Sequence, residues 1–140
     1  LNCDLSNNQQ EIWFMPGSTE NVSGGEIFID GHFRIDDDIF SPTGGSVTFD
    51  GSSASSIYGT TSFYDLNINK TGATVTADSS LYVANDLVIN SGILDPDDNN
   101  IEIGGNWTNN VGDAGFMEGS GRVIFNGGNY HQYCSNETFN

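Results

Sequence analysis

The chain has 140 residues and sets three basic side chains, Arg34, Lys70 and Arg122, against nineteen acidic ones, for a formal charge of -16. A surface of that sign repels every phosphate it approaches, so nucleic acid and anionic membrane are poor partners. Only 16% of the residues are charged, whereas 36% are apolar and 11% aromatic, enough for one core; with 18 glycines and few good helix formers, the composition points to an all-β domain rather than acidic disorder.

In chain order, short apolar alternations recur: Ile27/Ile29, Phe33/Ile35, Val47/Phe49, Leu66/Ile68, Leu81/Val83, Leu87/Ile89, Ile101/Ile103 and Val123/Phe125. Clusters such as Asn90-Ser91-Gly92 and Gly119-Ser120-Gly121 separate them. Each alternation reads as a short strand with one buried face, and no 3.6-residue apolar period persists beyond a turn. Val47, Phe49, Leu66, Ile68, Leu87, Ile89, Ile101, Ile103, Trp107, Val123 and Phe125 are predicted to face the core. No stretch reaches the roughly twenty apolar residues of a membrane-spanning helix.

The chain also repeats itself. Gly45-Ser46-Val47-Thr48-Phe49-Asp50-Gly51 recurs as Gly121-Arg122-Val123-Ile124-Phe125-Asn126-Gly127, and Ile27-Phe28-Ile29 recurs as Ile101-Glu102-Ile103. The expectation is a single repeat-built domain over 1–140, made of two tandem units of about 75 residues, one near 1–65 and the other near 66–140. A shorter spacing, about one solenoid coil, relates Val83 to Ile89 with Ile103 to Asn109. Units that duplicate in tandem and contain such sub-units stack in one dimension. The fold expected is therefore a right-handed parallel β-helix, a β-solenoid, with an antiparallel β-sandwich as the alternative. Asn85 and Asn106, with His32 as substitute, either stack as an amide ladder at a bend or cap exposed turns.

The run from Gly45, through Thr61-Ser62-Phe63-Tyr64-Asp65-Leu66-Asn67-Ile68-Asn69 and Leu81 to Asp95, to Ile101-Glu102-Ile103-Gly104-Gly105-Asn106-Trp107-Thr108-Asn109, resembles the repeat modules of very large secreted and cell-surface proteins of Bacteroidetes. The resemblance covers residues 44–140 well and 12–43 loosely. It implies β-helical stalks of filamentous-haemagglutinin type, exported by type IX secretion to the cell surface, and it marks a module rather than a chemistry.

Candidate chemistry is sparse. The acidic runs Asp36, Asp37, Asp38 and Asp95, Asp97, Asp98 have almost no basic companions for acid–base catalysis and differ between the two units. As oxygen-rich loops they are candidate Ca2+ ligands, with a solvated acidic loop as the plainer reading. No other cofactor is expected. Trp13 and Tyr82 are the candidate glycan-binding aromatics of a set that includes Tyr58, Tyr64 and Trp107. Cys3 and Cys134 pair with each other, pair with a neighbouring module, or stay as free thiols.

The reading that follows is a non-catalytic structural repeat of an extracellular stalk, adhesin or filament. A carbohydrate-binding module is the alternative and a polysaccharide-degrading β-helix enzyme the third. The chain begins at Leu1 and reads as an excerpt of a longer polypeptide, whose partners are neighbouring repeats or head-to-tail copies of itself.

Overall fold

The computed structural model describes residues 11–16, 22–36, 40–128, 134–135 and 139. The strands are β1 (Glu11–Phe14), β2 (Ser23–Ile29), β3 (His32–Ile35), β4 (Gly44–Phe49), β5 (Ser55–Tyr58), β6 (Thr61–Phe63) and β7 (Asp65–Ala77). They continue with β8 (Leu81–Val83), β9 (Leu87–Asp95), β10 (Ile101–Ile103), β11 (Trp107–Asn109), β12 (Val123–Phe125) and β13 (Cys134–Ser135). The one helical element described is a single 3₁₀ turn, Asp113–Gly115. Every described strand pair is parallel, which excludes the antiparallel sandwich. The molecule is a parallel β-solenoid of about five turns.

Three faces follow one another around each coil. The first stacks β2, β4, the start of β7, the start of β9, β11 and β13. The second stacks β1, β3, β5 and the ends of β7 and β9, with Phe116 bridging to Leu94. The third stacks β6, β8, β10 and β12. Because β7 and β9 run on around a corner, the first two faces form one continuous sheet. Alternation sends every second side chain inward, and the register turns these into columns. On the first face Val47, Leu66, Leu87 and Trp107 lie above one another, as do Ile29, Phe49, Ile68, Ile89 and Asn109. On the third face the columns are Thr61, Leu81, Ile101, Val123 and Phe63, Val83, Ile103, Phe125.

The filling of the core changes along the axis. Phe33 is fully buried and its ring centroid lies 5.5 Å from Phe14, 5.3 Å from Phe40, 6.4 Å from Phe49 and 5.5 Å from Phe63. That coil is wide, since Phe33 pairs with Ile57, 24 residues on. The narrower coil from Leu66 to Leu87, 21 residues, is filled by aliphatic side chains including Ile68, Val75, Leu81 and Val83. Burying each such side chain contributes roughly 1.5–3 kcal/mol.

The short spacing seen in the sequence is one rung: Val83 pairs with Ile103 and Leu87 with Trp107. The longer recurrence behaves differently. Val47 stands on the first face and its counterpart Val123 on the third, and Ile27 and Ile101 are displaced in the same way. An offset of 76 residues is thus not a whole number of turns, and what recurs is a strand with its turn. Nine of the eleven predicted core residues are buried, whereas Val123 and Phe125 are only half-buried, because no further rung of the third face lies over β12 among the described residues.

Candidate functional site

Asp65, Asp86 and Asn106 occupy one position in successive coils, just before the inward residues Leu66, Leu87 and Trp107. Asp65 Oδ1 accepts from Asn85 Nδ2 at 2.8 Å and from the Asp86 backbone N–H at 3.1 Å. One rung on, Asp86 Oδ1 accepts from the Asn106 backbone N–H at 2.8 Å and from Asn106 Nδ2 at 3.0 Å. Of the two readings of Asn85 and Asn106, the amide ladder is corrected to a carboxylate ladder: each Asn donates to the Asp one coil below. His32 is not part of it. It starts β3 at another corner, where its Nδ1 accepts from the Ser56 backbone N–H at 2.9 Å. Similar rungs join Asn67 to Thr48, Ser91 to Asn69 and Asn110 to Asn90.

A residue that the sequence reading missed lies at the corner between the first two faces. Lys70 is fully buried, and its Nζ donates to the Asp30 backbone carbonyl at 2.7 Å and to Asp30 Oδ1 at 3.3 Å. Burial holds its pKa below the ordinary 10.5, opposed by the hydrogen bond and charge of Asp30 and by the charge of Asp50. The corner is glycine-lined for steric reasons. Gly51 has φ 76°, and a Cβ there would collide with the Asp30 carboxylate; one on Gly92 would stand 2.6 Å from Lys70 Cβ. The clue was present in the chain, since Leu66, Ile68 and Lys70 continue one alternation.

The acidic runs are accounted for in part. Asp36 Oδ2 accepts from Trp13 Nε1 at 2.8 Å and its Oδ1 faces Arg34 Nε at 3.3 Å; Asp37 and Asp38 lie outside the described residues. Asp95 Oδ1 accepts from the Asp97 backbone N–H at 2.9 Å, and Asp98 Oδ1 from the Ser120 N–H at 2.6 Å. Asp97 and Asp98 are left-handed, φ 49° and 64°, a conformation that Asp tolerates better than most residues. These side chains shape a turn and tie it to the next coil. Among the described residues no three His, Cys, Asp or Glu side chains gather as a metal site. Cys3 lies outside the described residues, and of Cys134 the structure describes the backbone, paired with Trp107.

The candidate aromatics do not form one platform. Trp107 is core, edge-to-face with Phe116 at 4.8 Å. Trp13 is exposed on the second face, where the Arg34 guanidinium stands 5.4 Å from its ring and 5.8 Å from that of Tyr58. Tyr82 is exposed on the third face, in the outward column Ser62, Tyr82, Glu102. There it lies in a groove of about 570 Å3 that takes in Ser41 and Pro42 at one end and Asn126, Gly127 and Gly128 at the other. Asn126 Nδ2 donates to Glu102 Oε2 at 2.9 Å inside it. No protein-family model, curated protein or solved structure matches this chain.

Proposed function

We propose that this chain is a non-catalytic structural module of an extracellular bacterial stalk, adhesin or filament, working through reach and stiffness. The observation that supports it is the coil-to-coil bonding: parallel backbone ladders on three faces, reinforced at the corner by Asp65, Asp86 and Asn106. A solenoid whose coils touch only their neighbours grows in length rather than in girth, at ~4.8 Å per rung. A charge of -16 keeps the sides of such rods apart in solution, while neighbouring repeats, or further copies of the chain, stack on its ends. The resemblance to Bacteroidetes surface repeats supports an exported, surface-exposed setting. The test combines two measurements on the parent protein. Antibody to this module should label intact cells, and single-molecule pulling should extend it coil by coil without loss of the neighbouring parts. Confinement to the cytoplasm, or turnover of polysaccharides by the purified chain, would overturn the reading.

A further inference from the structure

The groove over the third face carries an inference beyond that structural role. Its wall residues Ser62, Tyr82 and Glu102 stand one above another in successive coils, so it runs along the solenoid axis rather than across it. Its floor is low because the chain turns there on small residues, Ala84 and Gly104; a Cβ on Gly104 would collide with the Ala84 carbonyl. Rungs ~4.8 Å apart place a polar or aromatic group at an interval close to the length of one pyranose in an extended chain.

The chemistry of the lining narrows the occupant. Tyr82, 38% exposed, offers a ring for the apolar face of a sugar. Ser62, Asn85, Glu102 and Asn126 offer hydroxyl, amide and carboxylate groups, and the Asn126–Glu102 hydrogen bond holds two of them in place. Among the described residues no Lys or Arg lines the groove, so a uronate, sulfated glycan or nucleic acid meets Glu102 and the surrounding acidic surface without a countercharge. An extended peptide would need free backbone groups, but the N–H groups of Ala84, Gly104 and Asn126 already donate to Phe63, Val83 and Ile103 one coil below. We infer that the Tyr82 groove is a binding site for a neutral, unbranched oligosaccharide, with successive sugars on successive coils.

The probes are cellotriose, laminaritriose and mannotriose, with trigalacturonic acid as the anionic counter-probe, titrated into the intact chain and followed by amide chemical shifts and calorimetry. At least one neutral trisaccharide should bind, shifting the amides of Ser62, Tyr82, Asn85 and Asn126. Tyr82→Ala should weaken binding by at least about tenfold, while Tyr82→Phe keeps most of it and Trp13→Ala, on the second face, changes nothing. Three results would overturn the site: no neutral trisaccharide binding at about 10 mM, near the weak limit of a meaningful contact; shifts that map elsewhere on the wild-type chain; or tighter binding of trigalacturonic acid. The shift map uses the wild-type protein alone, so the test stands even where a variant fails to fold. Failure here leaves the structural role untouched, because that role does not depend on the groove.

Discussion

Lys70 Nζ donates to the backbone carbonyl of Asp30 across two coils, 40 residues back along the chain, at 2.7 Å. Ser55 Oγ donates to the same carbonyl at 3.2 Å, so this corner ties three coils together through one acceptor. A buried ion pair is weak evidence of stability, because desolvation offsets much of the attraction. Lys70→Met, which keeps the stem and drops the charge, should therefore change stability by no more than about 1 kcal/mol. Lys70→Ala also removes the stem and leaves a cavity, and should cost about 2–4 kcal/mol. Chemical denaturation of both variants checks the pair; equal losses would show that the charge, not the packing, holds the corner.

The same lysine sets a pH dependence. Its folded pKa lies below the ordinary 10.5 because burial disfavours the ammonium, against the pull of Asp30 and Asp50. Between the folded value and 10.5 the unfolded chain binds more protons than the folded one, so stability rises with pH across that window. Below it the cost is constant. The stability of the wild type minus that of Lys70→Met should accordingly increase as pH climbs toward 10.5, then level off. Taking the difference removes every contribution that the two proteins share. A difference that falls over this range would mean that Asp30 outweighs the burial.

Phe33 and Phe125 should respond very differently to truncation. Phe33 is fully buried among four phenylalanine rings, so Phe33→Ala should cost about 3–5 kcal/mol. Phe125 is half-buried on the last described rung of its face, and the same change should cost about 1–2 kcal/mol, as partial burial scales the loss. Urea denaturation of the two variants decides it; equal costs would mean that Phe125 is covered as fully as Phe33.

These contrasts mark what the sequence made legible. Pairs such as Leu66/Ile68 and Ile101/Ile103 announce their strands because a large apolar residue recurs at every second position. On the second face Phe33/Ile35 announces β3, but the rungs above it are nearly silent. Their inward residues Ile57, Val75 and Ala77 sit among Ser and Thr, in Ser55-Ser56-Ile57-Tyr58 and Thr74-Val75-Thr76-Ala77, where one apolar side chain per strand looks like a turn. Lys70 is masked for a different reason: it continues the Leu66/Ile68 alternation, but Asn69-Lys70-Thr71-Gly72 equally reads as a polar turn, and pairing to coils far away in sequence decides between the two. Tyr82 was recognised as a candidate, but its groove is made by Pro42 and Asn126, which no local pattern brings together.

Trp107 presents an unusual balance. Its indole is fully buried, yet Nε1 is the buried side-chain polar atom without a hydrogen-bond partner among the described residues. An unsatisfied buried donor costs about 1–3 kcal/mol, so Trp107→Phe should lose volume while relieving that cost. The net change should stay within about 1 kcal/mol, small beside the 3–5 kcal/mol typical of removing a large aromatic altogether. Thermal and chemical denaturation check it. A loss above about 2 kcal/mol would show that packing against Phe116 and Phe139 outweighs the orphaned donor.

The carboxylate ladder yields the last prediction. Asp86 Oδ1 takes two hydrogen bonds from Asn106, and the Asp86 backbone N–H donates in turn to Asp65, so two like charges stand one rung apart. Asp86→Ala deletes the acceptor of both Asn106 hydrogen bonds at a half-buried corner, which should cost about 1–3 kcal/mol. Asp86→Asn keeps an oxygen for them and removes one negative charge next to Asp65, in a chain that already carries -16. It should therefore be close to neutral at physiological ionic strength and stabilising in low salt, where the repulsion between Asp65 and Asp86 is least screened. Denaturation of the wild type and both variants at low and high salt separates hydrogen bonding from charge: the Ala variant should be impaired at both, and the Asn variant should gain only as salt is withdrawn. An Asn variant as damaged as the Ala variant would mean that the charge-assisted strength of these bonds, not the presence of an acceptor, holds the coils in register.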